Sequence, residues 1–189
     1  PSVVFDGTGN LVFAWRDGHD TTLMDWQGSD VESAEGPFAA PLIRCVNAGG
    51  NGGLGGKPAW GGRIQLAVGA GGQPGIIYDR AQTGADTTGF QVWFQQRSGS
   101  GWTAPKLVLE STDTQTGGSL AWDAQEGWGV AGIDGPSGRL QYVSSQDGVS
   151  WSAPQEVFGA GSGGWYPSLA MDPIAHEPTI AFYVCSPRP

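Results

Sequence analysis

The tetrapeptide Trp151-Ser-Ala-Pro154 is one of three copies of a short aromatic signature in this chain. The other copies are Phe38-Ala-Ala-Pro41 and Trp102-Thr-Ala-Pro105. Their aromatic residues are 64 residues apart (38 to 102) and 49 residues apart (102 to 151). Because a signature that recurs at this period marks a repeated structural unit, the sequence predicts a repeat architecture.

A second repeat lies upstream of each signature and occurs once more after the last one. It has the form of a short strand of small and apolar residues, able to pack tightly near a common axis. Its copies end at residues 6, 69, 123 and 172, so the spacings are 63, 54 and 49 residues. This is near the length of one propeller blade, roughly 40–50 residues. The copies are Ser2-Val-Val-Phe-Asp6, Gln65-Leu-Ala-Val-Gly69, Ser119-Leu-Ala-Trp-Asp123 and Ser168-Leu-Ala-Met-Asp172.

Three further strands are predicted in each full unit. Turn-forming clusters after the first strand favour a tight hairpin, and proline is tolerated at the start of an edge strand. Second strands are predicted at Leu11–Trp15, Gly75–Tyr78, Gly129–Ile133 and Thr179–Val184. Third strands are predicted at Thr21–Trp26, Phe90–Arg97 and Leu140–Ser145, and outer strands at Pro41–Val46, Pro105–Leu109 and Pro154–Phe158.

These strands predict an all-β chain, a β-propeller of four-stranded antiparallel blades with about three and a half blades present. The 33 glycines and 13 prolines suit many short strands joined by turns, and nine tryptophans argue against disorder. The repeat units are placed at about 1–62, 63–117, 118–165 and 166–189. A β-sandwich would also contain many strands, but it gives no reason for this repeat.

Charge and hydropathy exclude several classes of partner. The net charge is −9 with nine lysines and arginines, too few to build the basic surface that nucleic acid needs. Anionic membrane surfaces are disfavoured for the same reason, and no apolar run is long enough for membrane insertion. The sequence begins at Pro1 and not at Met, so a native N-terminal segment is expected to be missing and the lack of a signal peptide carries no information.

Cys45 and Cys185 are the two cysteines of the chain. They lack the close spacing of a zinc site, so no metal is expected there. They either pair with each other in an oxidising compartment or remain buried free thiols. A disulfide between them would join the first unit to the last.

The segment Ser145-Gln-Asp-Gly-Val-Ser-Trp151 resembles a shortened Asp box, the repeat of sialidase-like β-propellers (also called BNR repeats). The segments Tyr166–Asp172 and Glu177–Tyr183 also resemble strands of secreted bacterial propellers of this kind. In such a turn the aspartate accepts backbone N–H groups, the glycine supplies a positive φ, and the aromatic residue packs between sheets. Structural roles of this kind are expected for Asp147, Gly148, Trp151, Trp102 and Phe38.

The resemblance implies sialidase chemistry only where the catalytic residues are also present. Enzymes of the family use three arginines, a tyrosine nucleophile with a glutamate partner and an aspartic acid, within a ring of six blades. An Arg-Ile-Pro motif opens their domain, and the nearest string here is Arg63-Ile-Gln65. No catalytic residue is therefore assigned, and the expectation leans away from an enzyme.

By analogy with the family, ligands would bind at the loops before the first and after the second strand of each blade. Arginine and aspartate beside exposed aromatic rings suit a sugar, although ion pairs or turn caps would explain the same residues. The candidate ligand-binding residues are Arg16, Asp17, Trp60, Asp79, Arg80, Asp113, Asp134, Trp165 and Tyr166.

The sequence thus favours a secreted or periplasmic, lectin-like module that binds a glycan or a protein surface. No cofactor and no metal is expected. One alternative is part of a glycosidase whose other blades are missing or lie on another chain. Another is an assembly protein that recruits a partner through an open sheet edge, and such a partner could be another chain that completes the propeller.

Overall fold

The structure is a computed structural model, and it describes residues 2–17, 30–35, 42–45, 64–81, 90–99, 101–112, 118–134, 139–159 and 163–184. In this part of the chain the fold is all-β, apart from one short 3-10 turn at Ala70–Gly72. Every paired strand is antiparallel to its neighbour within a sheet. The predicted fold class, with four-stranded antiparallel sheets, is confirmed.

Four sheets follow one another along the chain, and each begins with a strand that we call its inner strand. The first sheet contains β1 (Ser2–Phe5), β2 (Leu11–Asp17), β3 (Asp30–Glu35) and β4 (Leu42–Cys45). The second contains β5 (Ile64–Val68), β6 (Pro74–Ala81), β7 (Phe90–Ser98), β8 (Gly101–Trp102) and β9 (Lys106–Thr112). The third contains β10 (Ser119–Asp123), β11 (Gly127–Asp134), β12 (Arg139–Ser145) and β13 (Gln155–Phe158), and the fourth β14 (Gly163–Met171) and β15 (Pro178–Val184).

One strand prediction is wrong. The third strand of the first sheet was predicted at Thr21–Trp26, but β3 (Asp30–Glu35) occupies that place, paired with β2 on one side and β4 on the other. Residues 21–26 lie outside the described part of the chain. Residues 21–26 are the more apolar segment in sequence, but a strand in the middle of a sheet is defined by hydrogen bonding to both neighbours.

The hydrophobic core lies between successive sheets, as three clusters. The cluster between the first and second sheets contains Val12, Ala14, Ile64, Leu66, Ile76 and Tyr78. The cluster between the second and third is the largest and includes Ile77, Phe94, Leu120, Trp128 and Val130. The cluster between the third and fourth has Ala131, Tyr142 and Leu169. Neighbouring sheets are therefore held together by burying the faces that they turn toward each other.

Two aromatic residues of the repeated signature lie at these contacts. Trp151, which follows the β12–β13 turn, packs against Phe94 of the second sheet with ring centroids 5.3 Å apart. Trp102 packs against the cluster between the first and second sheets. The Trp151 contact joins the third sheet to the second, and both aromatic residues of the signature add to the packing between sheets. Phe38 lies outside the described residues.

No helix in the described part of the chain is long and apolar enough to cross a membrane.

Candidate functional site

The two ends of the four sheets differ, and each is named here by its connections. The turn rim is the end at which β1, β5, β10 and β14 turn into the next strand. The loop rim is the opposite end, where these inner strands begin and where β2, β6, β11 and β15 finish. Backbone N–H groups of three inner strands bond to side chains of the preceding inner strand, so the inner strands lie side by side in similar register.

Aspartates close three hairpins of the turn rim. Oδ1 of Asp6 accepts the backbone N–H groups of Thr8 and Asn10, each at 2.9 Å. Asp123 and Asp172 act in the same way. Asp123 accepts from the N–H groups of residues 125 and 126, and Asp172 from those of 174 and 175. These Asx-type turns fix the hairpins locally.

The hydrogen bonds also set the acidity of these aspartates. Burial raises the pKa of Asp6, but the hydrogen bonds from Thr8 and Asn10 outweigh it and hold the pKa below 3.8. The N–H groups of Ala175 and Ile174 lower the pKa of Asp172. All of these turns therefore prefer the ionised carboxylate.

The turn rim also joins neighbouring sheets. His176, in the β14–β15 turn, places Nδ1 2.9 Å from Oδ2 of Asp123, in the β10–β11 turn. The hydrogen bond from His176 and the N–H of Glu126 lower the pKa of Asp123 from 3.8 to about 2. The N–H of Gly7 donates to the carbonyl oxygen of Gly72 at 2.9 Å, which ties the first sheet to the second.

The sequence around His176 does not indicate a partner for its side chain. The residue has φ 59, a left-handed backbone conformation that is uncommon for residues other than glycine. Asp123 is 53 positions earlier, so local sequence gives no sign of the contact. The one signal in the sequence was that the two residues lie where successive inner strands of the repeat turn into the next strand.

The turn at Asp147 has the hydrogen bonds that stabilise a tight hairpin. Its Oδ1 accepts the N–H groups of Val149 at 2.7 Å and Ser150 at 2.8 Å, and these bonds lower the pKa of Asp147. Gly148 has φ 70, as such a turn requires. These contacts hold the backbone of the turn, which is the structural role expected for Asp147 and Gly148.

A polar cleft of about 150 Å³ lies on the turn rim between the first two sheets. Asp6, Thr8, Gln73 and Arg97 are among its lining residues. Asp6 and Thr8 already bond within their own turn, and the guanidinium of Arg97 lies 5.9 Å from the ring centroid of Trp102 and bonds to Gly99. These three lining residues therefore also take part in contacts within the fold.

The predicted polar residues of the second strands lie at the loop rim. Arg16 and Asp17 were predicted in a loop, but they are the last two residues of β2. Asp79 and Arg80 were also predicted in a loop, and they lie near the end of β6. The strands run further than predicted because pairing with β3 and β7 continues through these residues. Asp134 is the last residue of β11.

Trp165 and Tyr166 were likewise predicted in a loop, and the structure places both in β14. The pairing of β14 with β15 shifts register between Trp165 and Ser168, which marks a β-bulge. Tyr166 lies in this bulge with φ 53, and 51% of its surface is exposed. A left-handed tyrosine is strained, and such strain is often found where a side chain must be aimed.

The remaining predictions lie partly outside the described residues. Trp60, Asp113 and Cys185 fall there, so a disulfide between Cys185 and Cys45 of β4 stays a prediction. Arg139, next to the predicted loop after β11, forms an ion pair with Glu156 at 2.6 Å. Among the described residues, no three His, Cys, Asp or Glu side chains group as metal ligands.

Comparison with known protein families finds no match, and no curated protein matches the sequence. Comparison with solved structures finds NanB sialidase from Streptococcus pneumoniae, in complex with 2-[(3-chlorobenzyl)ammonio]ethanesulfonate and as a point mutant. In both cases the TM-score is 0.58 at 15% sequence identity, over 95% of this chain and 26% of the sialidase chain. The chain thus spans about a quarter of the sialidase, with which it shares a sialidase-like β-sheet fold.

Proposed function

We propose that this chain is part of a secreted or periplasmic binding module that receives a carbohydrate at the loop rim. The observation that carries the proposal is the position of Tyr166, a half-exposed aromatic ring in a strained, bulged segment of that rim. An exposed ring in a fixed orientation offers a flat apolar platform, and that is what the face of a sugar ring needs.

The strand ends around the loop rim supply the complementary polar groups. Arg16 with Asp17, and Asp79 with Arg80, lie at corresponding ends of two neighbouring sheets. A guanidinium donates hydrogen bonds and a carboxylate accepts them, so residues of these types can bind the hydroxyl groups of a sugar. Because the residues lie on two neighbouring sheets, their placement supports a polar ligand that extends across both sheets.

The structural comparison supports the same class of ligand. The similar solved structures are named sialidases, and that name denotes an enzyme acting on a carbohydrate. The net charge of −9 is consistent with a neutral glycan or a protein surface and opposes nucleic acid.

A glycan array probed with the chain tests the proposal. The array should retain the chain on a defined group of glycans, and Tyr166→Ala should weaken binding about tenfold or more, the effect expected of a central aromatic contact. Val149→Ala is the matched control, because Val149 is 52% exposed and Tyr166 51% exposed, and Val149 lies on the turn rim. A chain retained by no glycan, or one whose Tyr166→Ala variant binds as the parent does, would contradict the proposal.

The chain as part of a glycosidase is the second candidate, and the naming of the similar structures as sialidases favours it. It predicts release of a chromophore from an aryl glycoside by a longer protein that contains this chain. Turnover of one sugar class would establish the glycosidase. Binding without turnover across a broad panel of glycosides would contradict it and favour the binding module.

A further inference from the structure

The loop-rim end of β14 is longer than the strand that it pairs with. Ser168 of β14 pairs with Ala181 of β15. Further along, Gly163 pairs with Val184, so five steps along β14 face three steps along β15 and two residues are extra. The register accordingly shifts on both sides of Trp165. Extra residues of this kind bend a strand and change the direction of the side chains within it.

Gly164, in this bulged segment, lies directly against the third sheet. It is buried and has φ 86. A Cβ at this position would lie 2.7 Å from Cβ of Leu140 in β12 and 3.5 Å from Cα of the same residue. Leu140 is 0% exposed, so its surroundings leave it no space to move aside. Both the backbone conformation and the close approach therefore require glycine at residue 164.

Pro167 limits the bulge on the other side of Tyr166. Pro167 is buried and lies outside the register of β14 with β15, which suits a residue that has no backbone N–H to donate. A proline also restricts the backbone of the residue before it and disfavours the right-handed helical region there. Tyr166, with φ 53, thus lies between a glycine held against the third sheet and a proline that limits its own backbone.

The repeat itself does not require this bulge. The inner strands β1, β5 and β10 pair with the strands that follow them without a register shift. Among the inner strands that the structure describes, β14 alone departs from the regular ladder, and it does so around a tyrosine in a strained conformation. Strain that the surrounding structure maintains is frequent at binding sites.

We propose that Gly164 is the positioning residue of the loop rim, and that it fixes the ring of Tyr166 through its contact with Leu140. Gly164 has no side chain to offer a ligand, so it acts through Tyr166. A ring that is already held in one direction loses less freedom when a ligand binds. The role of Gly164 in recognition rests on the proposed carbohydrate binding, whereas the orientation of the ring is a property of the chain alone.

NMR of the full 189-residue chain with isotope-labelled tyrosine rings tests this orientation without a glycan. The chain has four tyrosines, and Tyr166→Phe identifies the signals of Tyr166. In the parent these signals should differ from those of free tyrosine. In Gly164→Ala they should move toward them, because the added Cβ displaces the bulge from Leu140. Gly9→Ala is the matched control, since Gly9 has φ 81 with open space around it, and it should leave the Tyr166 signals in place.

The signals of Tyr78 report whether each variant is folded, because Tyr78 is 0% exposed in the core between the first and second sheets. Where Gly164→Ala does not fold, Pro167→Ala tests the other end of the bulge. It restores a backbone N–H and relaxes residue 166, so the Tyr166 signals should move in the same direction. Tyr166 signals that match free tyrosine in the parent, or that stay in place in the folded variant, would overturn the proposal.

The glycan array separates this inference from the proposed function. On the glycans that retain the parent, Gly164→Ala should bind about tenfold more weakly, as Tyr166→Ala does. The double variant should bind as Tyr166→Ala alone, because Gly164 acts only through the ring. Unchanged retention of Gly164→Ala, or a further loss in the double variant, would contradict the positioning role. A fixed Tyr166 ring that Gly164→Ala releases, on a chain that no glycan retains, would support that role and contradict carbohydrate binding.

Discussion

The turn rim and the loop rim contain similar residue types, but these residues lie in different structural settings. At the turn rim, aspartates accept backbone N–H groups two to four positions away, and His176 and Gly7 join one turn to the next. At the loop rim, arginines and aspartates stand at strand ends and Tyr166 is held in a strained bulge. The difference indicates that the turn rim stabilises the arrangement of the sheets, and the loop rim is where we propose that a ligand binds.

The largest loss of stability is expected when Trp128, the second residue of β11, is replaced. Its ring is 4% exposed and packs on Phe94 with centroids 5.0 Å apart, and its Nε1 donates to Gln96 at 3.3 Å. Trp128→Ala should lower the free energy of unfolding by about 3–5 kcal/mol. Urea denaturation measures this, and Val149→Ala is the exposed control. A loss below about 1 kcal/mol would mean that Trp128 does not hold the second sheet to the third.

A smaller loss is expected at Gly148, in the Asp147 turn. Gly148 has φ 70, and a Cβ there would lie 2.7 Å from the ring of Phe94. Gly99 is the matched control, with φ 56 and open space around it. Gly99→Ala should cost about 1 kcal/mol from backbone strain alone. Gly148→Ala should cost about twice that, because the ring must also move. Equal losses of unfolding free energy for the two variants in urea denaturation would show that the turn at Gly148 is not packed against Phe94 of the neighbouring sheet.

The contact between Asp123 and His176 should matter in acid. The pKa of Asp123 is lowered to about 2 in the folded chain, so its contribution is present above about pH 4 and is lost as the pH falls toward 2. Asp123→Asn should flatten the fall in unfolding free energy across this window, and His176→Ala should flatten it in part. Urea titrations at several pH values measure the slope. Identical slopes for the parent and both variants would show that the contact between Asp123 and His176 does not contribute to stability.

The smallest effect on stability is expected on the loop rim. Tyr166→Gly removes the strain of φ 53 but also removes the contacts of the ring, so unfolding free energy should change by no more than about 0.5 kcal/mol. Glycan binding should nevertheless fall about tenfold or more. Thermal denaturation and the glycan array are read together. A large loss of stability would place Tyr166 in the scaffold and weaken the distinction between the rims.

Much of the fold followed from sequence because the information is local or repeated. The inner strand β10 was predicted at its observed bounds, Ser119–Asp123. The bonds of Asp147 to Val149 and Ser150 also lie within three positions, so residue types alone indicate them. The loop-rim residues were placed at the correct end of the sheets but in loops, since strand length depends on how far the neighbouring strand continues to pair.

By itself, the sequence determined an all-β chain of repeated antiparallel sheets, because turn chemistry, alternation and a recurring signature act over short distances. Only the tertiary structure decided which sheets touch and through which atoms. The contact of His176 with Asp123 spans 53 positions, and that of Gln65 with Leu120 spans 55. Only the folded chain shows that Ser168 and Val3 are exposed at opposite ends, since exposure depends on which neighbours are in place.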